Sequence, residues 1–158
     1  MNNKTYHYND SVFNRKVKFI GIYAALIGTF VIAYILLANA SILYISVFAV
    51  CLYTFWETFI SISNPSDITI SKDYITFTAF GRSHTFEWKD VYSFKCKEFY
   101  MDKKIFLRIN RAGLLKGRYW ISCRYFNDSD ELFNFFIQKE NELHPDTVKA
   151  RSRKNDNK

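Results

Sequence analysis

Between Lys18 and Glu57 lie 38 residues, Phe19 to Trp56, without a single charged side chain. This run limits the fold more than any other feature of the chain. A helix rises about 1.5 Å per residue, and about 20 residues cross the roughly 30 Å hydrocarbon core of a bilayer. One helix made of the whole run would be about 57 Å long, too long for a single crossing at ordinary tilts. Two crossings fit. The one cluster of small polar residues in the run, Asn39-Ala40-Ser41, predicts a turn at 39–41 between spans at 19–38 and 42–62. Both segments are apolar on every side, as lipid requires.

A cleaved leader is the competing reading. "RKVK" (15–18) would be its basic region, and Ala38-Asn39-Ala40 resembles a small-residue cleavage site. Such leaders carry about 7–15 apolar residues, fewer than are present here, and a second apolar span follows at once. The sequence therefore favours a two-helix anchor. Arg15, Lys16 and Lys18 precede the first span, Lys72, Arg82 and Lys89 follow the second, and the turn carries no charge. Positive flanks stay on the cytoplasmic side. The expectation is a multi-pass protein of the cell membrane with both termini cytoplasmic, beginning with a basic cytosolic segment at 1–18.

Glu57 stands alone late in the second span. A hairpin turning at 40 sets it level with about residue 23, near the inner interface. There a carboxylate can reach water or Lys18. The sharper alternative is a working intramembrane acid that accepts a hydrogen bond from Tyr23.

The formal charge is +7, and eighteen basic against thirteen acidic residues from position 67 onward supply most of it. A basic domain tied to a bilayer meets anionic head groups first. No nucleic-acid reader motif accompanies the charge, so no nucleic acid is expected. Cys51, Cys96 and Cys123 form no C-x-x-C pair, and His7, His84 and His144 share no ligand spacing. The thiols read as buried, with no metal site. Nucleophile-elbow, phosphate-loop and dinucleotide motifs are absent, so neither a cofactor nor a catalytic residue is assigned. An enzyme built on Glu57 or His84 is the weakest of the functional readings.

After the turn-rich "SNPSD" (63–67) the apolar period becomes two. Six strands follow, at 68–70, 74–80, 84–88, 91–100, 104–110 and 118–126. Ile75, Phe77 and Ala79 share a face, as do Tyr92, Phe94 and Cys96, then Ile105, Leu107 and Ile109, then Tyr119, Ile121, Cys123 and Tyr125. The period then becomes helical. Leu132, Phe135, Phe136 and Leu143 form a stripe, which Phe133 and Ile137 widen. Asp128 and Glu131 suggest a capping box, and His144-Pro145 a stop. The tail at 144–158 is basic and reads as disordered. The fold class is a membrane protein with an N-terminal helical hairpin followed by an α+β domain. That domain is an antiparallel meander, or partial barrel, at 67–143, capped by a C-terminal helix.

"ITISKDYITFTAFGRSHTFEWKDV" and "GRYWISCRYFNDSDEL" resemble the pleckstrin-homology-like fold. With the hairpin, residues 15–143 are similar to small bacterial membrane proteins that carry a two-helix anchor before such a domain. The resemblance implies no catalytic motif. The full fold has seven strands where six are visible, and the basic loop that grips inositol phosphates in eukaryotic relatives has no clear match.

Alternation puts Lys95, Lys97, Phe106, Arg108, Trp120 and Arg124 on the outward side of the last three strands. Neighbouring strands would make them one basic-aromatic patch for lipid head groups or an acidic protein segment. The alternative is a solvated sheet face with Trp120 packed under other elements. In span one, Gly21, Ala24, Ala25 and Gly28 permit close helix approach. The expected function is a non-enzymatic, membrane-anchored interaction module on the inner face of a bacterial membrane, with an unidentified protein partner. The alternative is an immunity protein that guards its own membrane against a bacteriocin or secreted toxin.

Overall fold

A computed structural model of the chain describes residues 3–37, 41–113 and 115–146. In chain order the elements are β1 (Lys4–His7), α1 (Asp10–Leu37), α2 (Ile42–Ile60), β2 (Asp67–Ile70), β3 (Tyr74–Ala79), β4 (Arg82–Glu87), β5 (Phe94–Phe99), β6 (Lys104–Ile109), β7 (Arg118–Ser122) and α3 (Ser129–Leu143). The strands make two antiparallel sheets, β1-β2-β3-β4 and β5-β6-β7. Of the expected turn only Ser41 is described, and it caps α2 by accepting the Leu43 N–H at 3.2 Å. Residues 147–158 of the tail lie outside the described residues.

Both helices are long and apolar enough to cross a membrane. Only 17% and 11% of their most apolar windows are buried within the chain, so neither is a core helix. The first begins at Asp10 rather than 19, because Asn9 caps it by accepting the Val12 N–H. Its first turns belong to the sheet domain, where Phe13 and Val17 are buried.

A seventh strand precedes the hairpin. Strand β1 pairs with β2 from Lys4↔Ile70 to His7↔Asp67. Just beyond it, Tyr8 bridges to Phe126, and the Asn127 N–H donates to the His7 carbonyl at 3.1 Å. One short segment thereby ties both sheets together, and the boundaries 67–143 leave it out. Since β1 enters the hairpin and β2 leaves it, both ends of the hairpin lie on the same side.

The core fills the space between the sheets. Ile75, Phe77, Ala79, Phe94, Cys96, Ile105, Leu107, Ile109, Tyr119, Ile121 and Cys123 are all buried, on the alternation expected of them. Phe77 stacks on Tyr119 with ring centroids 4.0 Å apart, joining the two inner faces. Tyr92 is a correction. It is 69% exposed, because a 3-10 turn at Trp88–Asp90 delays the strand until Phe94.

Helix α3 lies along the free edge of β5. Leu132, Phe133 and Phe136 are buried, and Phe135, Ile137 and Leu143 pack against the core. The buried Glu140 carboxylate accepts the Cys96 N–H at 2.7 Å, and His144 Nε2 accepts the Phe94 N–H at 2.9 Å. The helix thus completes the hydrogen bonding of a strand edge that would otherwise be open. The expected capping box does not form. Asp128 is left-handed (φ 51°) and its side chain caps nothing. Lys4 of β1 approaches both acids instead, 3.0 Å from Asp128 Oδ2 and 2.5 Å from Glu131 Oε2, and the Tyr6 hydroxyl donates to Glu131 Oε1 at 2.8 Å. A cation and a phenol brought by β1 outcompete a neutral backbone N–H for these carboxylates.

The hairpin is seated in the domain. A Cβ on Gly21 would lie 2.6 Å from the Phe59 ring and 2.7 Å from Thr58 Cγ2, and one on Gly28 would lie 3.3 Å from Cys51 Cβ. The small residues of α1 thus face α2 within the chain. At the β3–β4 turn, Phe80 adopts φ 51°, an uncommon conformation for a bulky residue. Its ring lies 5.5 Å from Phe13 and 4.9 Å from Phe59, between the two helices. Beside it, Arg82 donates to the Ile60 carbonyl at the C-terminal end of α2, where a cation is favoured.

Two outcomes follow. Phe136 is fully buried and faces Phe94. Phe136→Ala should destabilise the full-length protein by about 3–5 kcal/mol, read by denaturant unfolding in detergent. Hydrogen bonds from Lys4 and then Tyr6 hold the Glu131 carboxyl below its ordinary value. Ionised Glu131 therefore stabilises the fold above the ordinary carboxylate range, and this contribution is lost as pH falls through the lowered folded value. Glu131→Gln should lower the melting temperature at neutral pH, and its deficit against wild type should shrink on acidification.

Candidate functional site

The outward side of β5-β6-β7 is a nine-residue grid fixed by the strand register. Lys95, Arg108 and Arg118 form one row, Lys97, Phe106 and Trp120 the next, and Phe99, Lys104 and Ser122 the third. Five of the nine are cations, three are aromatic and none is acidic. Trp120 packs against Phe106 at 4.4 Å and Phe99 at 6.2 Å. Lys104 Nζ lies 4.6 Å over the Trp120 ring, and Lys97 Nζ 5.4 Å from the Phe99 ring. The ammonium groups are thus held against π faces, which attract cations without neutralising them.

Of the residues expected on this patch, Lys95, Lys97, Phe106, Arg108 and Trp120 are brought together. Arg124 is not. Strand β7 ends at Ser122, and a 3-10 turn at Cys123–Tyr125 carries Arg124 away to Asp102, at 3.9 Å, and to the Tyr125 ring. Phe99, Lys104 and Arg118 were missed. Alternation already set them on the outward side, but only the register shows that they share rows with the rest.

Strand β7 runs against the end of α2, where the Trp120 N–H donates to the Ser63 carbonyl at 2.7 Å. Two residues before Trp120, Arg118 is half-buried, and among the described residues its Nε has no hydrogen-bond partner. The phenol beside Glu57 is Tyr53, not Tyr23. Residues 53 and 57 share a helix face by spacing. Tyr23 is 62% exposed, because α1 turns Gly21, Ala24 and Gly28 toward its partner helix, and its ring neighbours Phe19.

His84 Nδ1 lies 2.9 Å from the Tyr119 hydroxyl. Burial, then the charges of Lys116 and Arg82, lower its pKa and favour the neutral ring. A cleft of about 460 Å³ opens between β4 and the β6–β7 loop, where Glu87 and Asp90 face Arg111 and Lys116, a mixture of charges that favours no single ligand. Cys51, Cys96 and Cys123 are free and buried. Among the described residues no group of three or more His, Cys, Asp or Glu is placed to hold a metal.

Comparison of the chain with family models, curated proteins and solved structures finds no match.

The position of Glu57, three residues before the end of α2 and one turn after Tyr53, leads to a specific expectation. Glu57→Gln should leave membrane abundance unchanged and shift unfolding stability by less than about 1 kcal/mol. Loss of insertion or of folding at matched expression would show that the carboxylate itself holds the joint together.

Proposed function

We propose that the chain is a non-enzymatic interaction module with a pleckstrin-homology-like domain, anchored by its helical hairpin at the inner face of a bacterial membrane. Several features support the domain reading. The four-stranded sheet, three-stranded sheet and closing helix occur in the order that fold has, and β1 supplies the seventh strand. The membrane reading draws on exposed apolar side chains, such as Phe30 at 77% and Leu36 at 79%, which are costly to leave in water. Arg15, Lys16, Lys18, Arg82 and Arg118 lie in sequence or space around the base of the hairpin, which favours a cytoplasmic domain with both termini on that side.

The observation that carries the interaction reading is the acid-free grid of five cations and three aromatics on one rigid sheet face. Aromatic and arginine side chains are the usual anchors of recognition surfaces, and cations select acidic ligands. The protective reading, in which a bacteriocin or secreted toxin is the partner, uses the same anchor and surface and is distinguished by the identity of what is bound.

The test uses the full chain in intact cells. A cysteine at Asp102 should resist impermeant thiol reagents while one at Ser41 is labelled, in a background without the native cysteines. A photo-crosslinking residue at Phe106 should give a discrete adduct that one at Gln138, on the exposed side of α3, does not. The reverse labelling pattern would overturn the cytoplasmic assignment. Identical crosslinking from the two positions would overturn the use of this face.

A further inference from the structure

We infer that the outward face of β5, β6 and β7 lies against the membrane that holds the hairpin, with its cations on the phosphates of anionic lipids. The inference rests on the reading of α1 and α2 as membrane spans and names the ligand of the face described above.

Geometry places the face beside the hairpin. Arg118 belongs to the outward row with Arg108 and Lys95. Its strand, β7, runs against the chain that leaves α2, three residues beyond Ile60. The row Arg118–Arg108–Lys95 therefore starts on the strand next to the end of α2 and extends across the sheet from it. The Ser63–Trp120 backbone bond fixes β7 in this position. Phe80, between Phe13 and Phe59, fixes the other sheet to the same helices. The domain is held at two points and cannot swing freely on a linker.

Chemistry selects anionic lipid over an acidic peptide. Peptides commonly bind a sheet by adding a strand to an open edge. Here Glu140 and His144 of α3 occupy the edge of β5, and Ser63 takes the Trp120 N–H on the edge of β7. The broad face remains, with cations spread over three rows and lysines lying across rings. That arrangement suits many equivalent phosphates better than one extended chain. Aromatic rings favour the level of the head groups, and basic side chains there are attracted to anionic lipid. Tethering adds to this, because the hairpin keeps the local concentration of head groups high.

The test reconstitutes the full-length protein in nanodiscs of phosphatidylcholine, alone or mixed with phosphatidylglycerol. A trace of lipid with a nitroxide on its head group quenches nearby tryptophan, and Trp120→Phe identifies the share due to Trp120. Quenching of Trp120 should be strong in the anionic discs, weak in the neutral ones, and lost in high salt. The triple variant Lys95→Glu, Lys97→Glu, Arg108→Glu changes only exposed side chains. It should fall to the neutral-disc level with its melting temperature kept. Trp120 untouched by the nitroxide in both discs would overturn the inference, as would quenching indifferent to lipid charge and to the triple variant. Trp56 quenching and resistance to alkaline extraction report the anchor separately. Their loss would overturn the membrane reading, whereas their retention with a silent Trp120 overturns the lipid face alone.

Discussion

The pairing of β1 with β2 spans the whole hairpin, and the rest of the domain depends on it. His7 and Asp67 are partners with 59 residues between them. Closing a flexible loop of that length is costly, but the cost grows only as (3/2)RT ln n. Once α1 and α2 pack, the flexible part shrinks to roughly ten residues, and the closure cost falls by about 1.5 kcal/mol. Helices that pack early thus deliver β1 to its sheet. In return β1 covers the edge of β2, bridges to Phe126 and supplies Lys4 and Tyr6 to the start of α3. Hairpin and domain are one cooperative structure rather than two beads on a linker.

Relative magnitudes show what holds β1 in place. The Lys4 ion pairs are exposed to water and salt, and such pairs contribute little. Tyr6 and Tyr8 are 3% and 8% exposed. Full burial of a large apolar side chain stabilises by about 1.5–3 kcal/mol, so the rings outweigh the charges. Tyr8 meets Phe13 at 5.4 Å and Phe126 at 5.0 Å, which makes it the point where strand, helix and second sheet converge. The ion pairs give the contact its register and its pH dependence.

This division explains what the sequence could reveal. Alternation in β3, β5, β6 and β7 was legible because each strand has one buried and one outward side, a pattern that survives without knowledge of partners. The first strand was not legible, since four residues with one buried side chain carry no period and the partner is far away. Glu140 was equally hidden. A carboxylate on an apolar stripe makes sense only once the open edge of β5 is known to lie beside it. The failed capping box has the same cause, because a local motif was overruled by Lys4 from the other end of the chain. Arg124 left the patch because alternation cannot announce that a strand has ended. The patch itself was legible residue by residue, whereas its position against α2 was not, since Ser63 and Trp120 meet only in three dimensions.

Glu57 belongs to that meeting. In hydrocarbon an isolated carboxylate is expensive, and a charge in a span usually marks a pathway or a site. Here Tyr53 lies one turn before it, on the same helix face. The end of α2 is also the point where the domain begins, with Ile62 fully buried two residues beyond the helix. The carboxylate therefore lies within one turn of the joint between hairpin and sheets, not midway along the apolar helix.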